Sequence, residues 1–261
     1  MKNTVWLHLL RKKGSRRGST ALIVLPGLVP NSILFKGTVI RLVKFGDLWE
    51  LSYPAKYIET DDLLRGVTAE LKYLHYAKVV LIGVSFGGML AYRLLRYWRH
   101  HRVSVSVLGL VAVSSPFAPS DVSWRARTEL QFGYGLDKHR RSLFKAILKL
   151  IRWLWWYDLR IEKRMYAREN SLQQIANGLR IGYVLRQERV VNTEFNKLSA
   201  LLLNTSAKVR DELVTRRNEI SFKKLFPAGE IVHGLARHAD LDKPDRLSRL
   251  ALNRFLSKVV K

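Results

Sequence analysis

Apolar residues in the first half of this chain gather into short, unbroken runs, each closed by Gly, Pro or Ser. Three of them are ALIVLPG (21–27), KVVLIGVS (78–85) and VSVLGLVAVSSP (105–116). A β-branched and aliphatic run without polar alternation fits a strand covered on both faces, the habit of parallel sheets packed between helices. DLWELSYP (47–54) reads as a further strand, ended by a proline. Between these runs the apolar spacing becomes helical. TDDLLRGVTAELKYLHY (60–76) opens with Thr60, Asp61 and Asp62, residues suited to a helix N-terminus, and GGMLAYRLLRYWRHH (87–101) is a second helix. Strands alternating with helices predict an α/β fold built on a doubly wound, mostly parallel sheet.

The pattern changes from about residue 123 to 197, where segments such as RSLFKAILKLIRWLWWYDLRIEKRMYAREN are helical in spacing, aromatic and basic. No buried strand is evident there, and the stretch reads as a helical insertion. Strand-like runs return with LSALLLN (198–204) and GEIVHGL (229–235). The chain closes on DKPDRLSRLALNRFLSKVV, an amphipathic helix for which Asp242 suits the N-cap and Pro244 the first turn. The expected plan is a core over 1–122, an insertion over 123–197 and the rest of the core over 198–261.

Composition adds three constraints. At 261 residues and 48% hydrophobic, the chain can bury a large core. It has no cysteine, which excludes disulfides, thiolate nucleophiles and Cys-ligated zinc. Its 46 Lys and Arg against 21 Asp and Glu give a formal charge of +25, a field that attracts polyanions. The basic residues are scattered, and no zinc-finger, RNA-recognition or KH-type motif accompanies them, so nucleic acid is not the expected partner. No apolar stretch approaches the roughly 20 residues of a spanning helix, and MKNTVWLHLLRKKGSRRGS lacks the long apolar region of a secretory signal. A cytoplasmic protein, with peripheral contact to anionic membrane as an option, is expected.

Chemistry concentrates at GVSFGG (83–88), between a predicted strand and a predicted helix. Gly83-Val84-Ser85-Phe86-Gly87 fits the G-x-S-x-G elbow, in which a sharp turn presents a serine oxygen. A hydroxyl is a weak nucleophile at neutral pH and needs a base to take its proton and a carboxylate to orient that base. Seven histidines are available: His8, His75, His100, His101, His139, His233 and His238. A base must sit on a loop at the C-terminal edge of the sheet. His238, just before the last helix, fits that requirement better than His233, which falls within the last strand.

LPGLVPNS, GVSFGG, KVRDELV and RHADLDKPDRLSRLALNRFL occur in the order and approximate spacing of the α/β-hydrolase superfamily, which the chain resembles over about 20–116 and 198–258. The resemblance implies a triad in the chain order Ser85, Asp211, His238, with Asp211 in the loop after LSALLLN and Glu212 and Asp121 as alternative acids. It also implies an oxyanion hole from the backbone N–H groups of Phe86 and Leu28. Where many relatives carry His-Gly, this chain has Pro26-Gly27, a departure that leaves the donor in place. Serine at the elbow sets it apart from the epoxide hydrolase and haloalkane dehalogenase branches, which use aspartate there. The insertion stands where relatives carry a cap over the nucleophile. Its Trp153, Trp155 and Trp156, beside Lys145, Lys149 and Arg152, suit either packing on the core or a lipid interface.

A serine esterase or lipase acting on a hydrophobic acyl ester, with no cofactor or metal required, is thus the leading expectation. An acyltransferase with the same triad, and a non-catalytic module binding anionic membrane or nucleic acid, are the alternatives.

Overall fold

Among the described residues (7–11, 20–27, 41–53, 58–124, 126–128, 181–185, 195–206, 211, 213–236, 241 and 244–260), the computed structural model of the chain contains one seven-stranded sheet. Its strands are β1 (Leu7–Arg11), β2 (Ala21–Leu25), β3 (Asp47–Leu51), β4 (Lys78–Val84), β5 (Ser106–Val113), β6 (Ala200–Thr205) and β7 (Glu230–Leu235). They lie in the order β1-β3-β2-β4-β5-β6-β7. β1 runs antiparallel to β3 and every other pair is parallel.

The uninterrupted apolar runs are explained by burial on both faces. In β2 through β6, successive residues alternate between two hydrophobic clusters. Ile23, Leu81, Ala112 and Leu202 join one, and Val24, Ile82, Val113 and Leu203 the other. The first face is covered by α1 (Thr60–Tyr73), α2 (Gly87–His100) and α3 (Arg217–Leu225), which contribute Leu64, Leu90 and Phe222 among others. The second is covered by α4 (Arg246–Val259), through Leu252 and Leu256, and by the turn carrying Leu42 and Phe45. Both helices expected from 60–76 and 87–101 are present, although α1 starts without a side-chain cap.

Three details differ from expectation. β1 forms from LHLLR, inside the N-terminal stretch for which the sequence pattern predicts no strand; it is an edge strand with Leu9 and Leu10 exposed. α3 was not anticipated, because two of its four buried residues are the polar Asn218 and Ser221. The last helix starts later than expected. Its cap is Asp245, which accepts the Ser248 N–H at 2.7 Å, so Pro244 precedes the cap instead of opening the first turn. Asp242 lies outside the described residues, as does most of the insertion, including Lys145, Lys149, Arg152, Trp153, Trp155 and Trp156. No helix among the described residues is long and apolar enough to cross a membrane.

Candidate active site

Ser85 sits where β4 gives way to α2. The strand ends at Val84, the Ser85 N–H still pairs with the Val113 carbonyl at 2.8 Å, and α2 begins at Gly87. Turning so abruptly puts Ser85 in the left-handed region with φ of 53°. That conformation costs a non-glycine residue roughly 1–2 kcal/mol, and the packing around it must hold it. The flanking glycines allow that packing. A Cβ on Gly83 would stand 2.5 Å from the Gly88 Cα, and one on Gly87 would stand 1.9 Å from the Leu25 carbonyl oxygen. Strand β2, turn and helix therefore meet with no room for side chains.

The turn after β2 forms the neighbouring wall. A Cβ on Gly27 would lie 3.1 Å from Ser85 Cβ and 3.6 Å from its Oγ, so the Gly27 backbone stands directly beside the serine. Phe86, buried at 2% exposure, is the residue preceding α2 and lies in helical backbone geometry. Its N–H belongs to the positive end of the α2 dipole, an environment that stabilises negative charge. Leu28 lies outside the described residues.

Asp211 follows β6 and is held by its own loop. Its Oδ1 accepts the N–H groups of Leu213 at 2.9 Å and Val214 at 3.0 Å. Val214 in turn bridges to Val122, just after β5, and the Leu213 carbonyl accepts the Ser123 N–H at 3.0 Å. Asp211 is thereby anchored at the C-terminal end of the sheet, the end at which Ser85 emerges from β4.

Asp121, an alternative acid, has another task. It is fully buried, and its carboxylate accepts the N–H groups of Phe117 and Ala118 and the hydroxyls of Ser221 and Ser120. Burial raises its carboxyl above the ordinary carboxylate value, and the hydrogen bonds from Phe117, Ser221, Ala118 and Ser120 act in the opposite direction. These contacts tie the turn after β5 to α3 and leave the group built into the fold. Glu212 lies outside the described residues.

Distances along the sheet sort the histidines. His233 lies on β7, paired with Asn204 of β6, and β7 is three strand spacings from β4. At about 4.8 Å per spacing that is about 14 Å from the end of β4, beyond the combined reach of a histidine and a serine. The His233 Nε2 instead approaches Glu219 at 3.7 Å, and its Nδ1 is buried with no hydrogen-bond partner among the described residues. His8 is on β1, also three spacings away on the other side. His75 precedes β4, a full strand length of about 20 Å from Ser85. His100 and His101 end α2, about 20 Å along the helix from its start. Of the seven histidines, His139 and His238 lie outside the described residues.

No protein-family model and no curated protein matches this sequence. Solved structures do match. The type II thioesterase BorB from the borrelidin biosynthetic cluster is 16% identical, with 100% of this chain and 98% of that one covered and a TM-score of 0.64. A carboxylesterase of the ammonia-oxidizing thaumarchaeon Nitrososphaera gargenis is 15% identical over 93% of each chain, with a TM-score of 0.60. An epoxide hydrolase of Bacillus megaterium is 14% identical, covering 96% and 100% of the two chains, with a TM-score of 0.61. All three are α/β-hydrolase superfamily members. Strand order, elbow and nearly full-length superposition agree, and this chain has the α/β-hydrolase fold.

Proposed function

We propose that the protein is a serine hydrolase that cleaves a hydrophobic acyl ester through an acyl-enzyme on Ser85. The observation that carries this is the left-handed Ser85 at a strand-to-helix turn, with the Gly27 backbone against its side chain. A serine held this way serves no ordinary strand or helix hydrogen bonding that a glycine would not serve at lower strain.

In this mechanism His238 takes the Ser85 proton as Oγ bonds to the ester carbonyl carbon, and Asp211 accepts the imidazole Nδ1–H and stabilises the imidazolium. The carbonyl electron pair moves onto oxygen, where the N–H groups of Phe86 and Leu28 receive it. His238 returns the proton to the departing alkoxide, leaving acyl-Ser85 and an alcohol. Water then repeats the sequence, and the carboxylic acid is released. The exclusion of His8, His75, His100, His101 and His233 by distance leaves His139 and His238, and the position of His238 in the sequence just after the last strand favours it. The anchored carboxylate of Asp211, against the structurally committed one of Asp121, supports the choice of acid. Serine at the elbow favours acyl chemistry over epoxide opening, and the similarity to a thioesterase and a carboxylesterase is consistent with that.

The test is turnover of p-nitrophenyl esters of graded acyl length by wild type and Ser85→Ala. Wild type should hydrolyse the longer chains best, and Ser85→Ala should lose at least three orders of magnitude in kcat. Equal turnover by the two proteins would move the nucleophile elsewhere. The +25 charge favours a second property, peripheral binding to anionic membrane, which vesicles with and without anionic lipid would reveal through salt-sensitive sedimentation.

A further inference from the structure

The last helix has two faces of different character. α4 turns Ala251, Leu252, Phe255 and Leu256 into the core on the second face of the sheet. At about 100° per residue, its outward arc carries Arg246, Leu247, Arg249, Leu250, Arg254 and Lys258, all of them exposed. Leu247 and Leu250, three positions apart and therefore neighbours on the helix surface, are 63% and 53% exposed. Exposed leucines scattered singly are ordinary, but a neighbouring pair set among cations is a different arrangement.

The cations are mostly left without acidic partners. RLSRLALNRFLSKV contains Arg246, Arg249, Arg254 and Lys258 and no acidic residue. Arg254 pairs with Glu230, whereas among the described residues no carboxylate forms an ion pair with Arg246, Arg249 or Lys258. Asp245, just before the helix, directs its carboxylate to the Ser248 N–H. On the arc, Arg249 bounds the two leucines on one side and Lys258 on the other.

An anionic bilayer matches both features of this face. Arginine and lysine heads on long stems meet the headgroup phosphates, while the shorter leucines between them enter the boundary of the acyl chains. Nucleic acid matches only the charge, because the face presents no aromatic ring for a base to stack on, Phe255 being buried. A second copy of the same face would set these cations against like charges. Resting on the membrane-binding property proposed above, we infer that the outer face of α4 is the surface that docks on anionic phospholipid, with Arg246, Arg249 and Lys258 at the headgroups and Leu247 and Leu250 inserted between them.

The test is co-sedimentation with phosphatidylcholine vesicles that contain or lack phosphatidylserine, at low and high salt, for wild type and three double variants. All substituted positions are exposed, so each variant should keep the wild-type melt, and circular dichroism verifies this before binding is compared. Arg246→Gln/Arg249→Gln should bind phosphatidylserine vesicles about 30-fold more weakly at low salt and lose part of the salt dependence. Leu247→Ser/Leu250→Ser should bind at least about tenfold more weakly with the salt dependence kept. Lys72→Gln/Lys224→Gln removes the same charge from α1 and α3, on the other face of the sheet, and should stay within about threefold of wild type. Equal losses in the Arg and Lys variants would overturn the assignment in favour of a diffuse field, and full binding by the Leu variant would overturn the insertion. If the Arg variant lost affinity for single-stranded RNA and kept affinity for vesicles, the face would belong to nucleic acid and the assignment would fall. A wild type that binds neither kind of vesicle would overturn the membrane property itself, whereas wild-type binding matched by all three variants would overturn only the role of α4.

Discussion

Gly87→Ala is the substitution whose effect the structure specifies most directly. The added methyl would lie 1.9 Å from the Leu25 carbonyl oxygen, 2.7 Å from the Leu25 carbonyl carbon and 2.8 Å from the Pro26 carbonyl oxygen. Real Cβ contacts stay above about 3 Å, so either β2 or α2 must move by at least about 1 Å. The atoms struck are backbone at the centre of the sheet, where no side-chain rotation can yield. Overpacking costs typically about 1–3 kcal/mol even where side chains adjust. We therefore expect about 3 kcal/mol or more, which for a domain of this size corresponds to about 6–12 °C in Tm. Circular dichroism melts of wild type and Gly87→Ala read this out. Gly27→Ala is the internal comparison: its methyl meets Ser85 Cβ at 3.1 Å and the Val84 carbonyl at 3.3 Å, a squeeze of a few tenths of an ångström. It should cost less than about 1 kcal/mol in stability while disturbing the serine. A Gly87→Ala protein melting within about 2 °C of wild type would refute the close approach of β2 and α2 on which the elbow depends.

Other predictions separate the remaining roles. Asp211→Asn keeps the Oδ1 that accepts the Leu213 and Val214 N–H groups, so stability should stay within about 1 kcal/mol while kcat falls by on the order of 10³–10⁴; equal activity would assign the acid elsewhere. His238→Ala should abolish ester hydrolysis and His233→Ala should leave kcat within about threefold, and the opposite ranking would contradict the distances along the sheet. Asp121 has a folded-state pKa raised above its unfolded value, so the stability it contributes is full below about pH 4 and is lost as pH rises through the folded value. Urea melts across pH should show wild type losing stability relative to Asp121→Asn as pH rises from about 4, and a pH-independent difference would contradict the burial of that carboxylate.

What the sequence disclosed follows from how each element is buried. β2, β4, β5 and β6 were legible because both faces of each strand contact apolar clusters, which forces continuous apolar runs. β1 was not, because one side of an edge strand faces solvent and five residues with Leu9 and Leu10 exposed carry little signal. α3 was hidden for a different reason. Its inward face includes Asn218, which donates to the Ser115 carbonyl and exchanges hydrogen bonds with Asn204, so polar pairing replaces the apolar stripe that periodicity detects. At the site, the motif identified Ser85 and its glycines because steric exclusion leaves few alternatives at such a turn. Nothing local marks the contact of the Tyr53 hydroxyl with the Pro26 and Gly27 carbonyls, because those two residues are more than two dozen positions earlier and become neighbours only through the β3-β2 pairing. Asp121 resembled a candidate acid in sequence, and only its full set of buried donors reveals a structural carboxylate.

The central claim, that Ser85 is an activated nucleophile, is tested most directly by treating the folded protein with a fluorophosphonate and locating the adduct by peptide mass spectrometry. An activated Ser85 gives a single stoichiometric adduct on the peptide containing it, absent from Ser85→Ala and from protein unfolded before treatment. Folded wild type that stays unmodified, or an adduct that persists in Ser85→Ala, would contradict it.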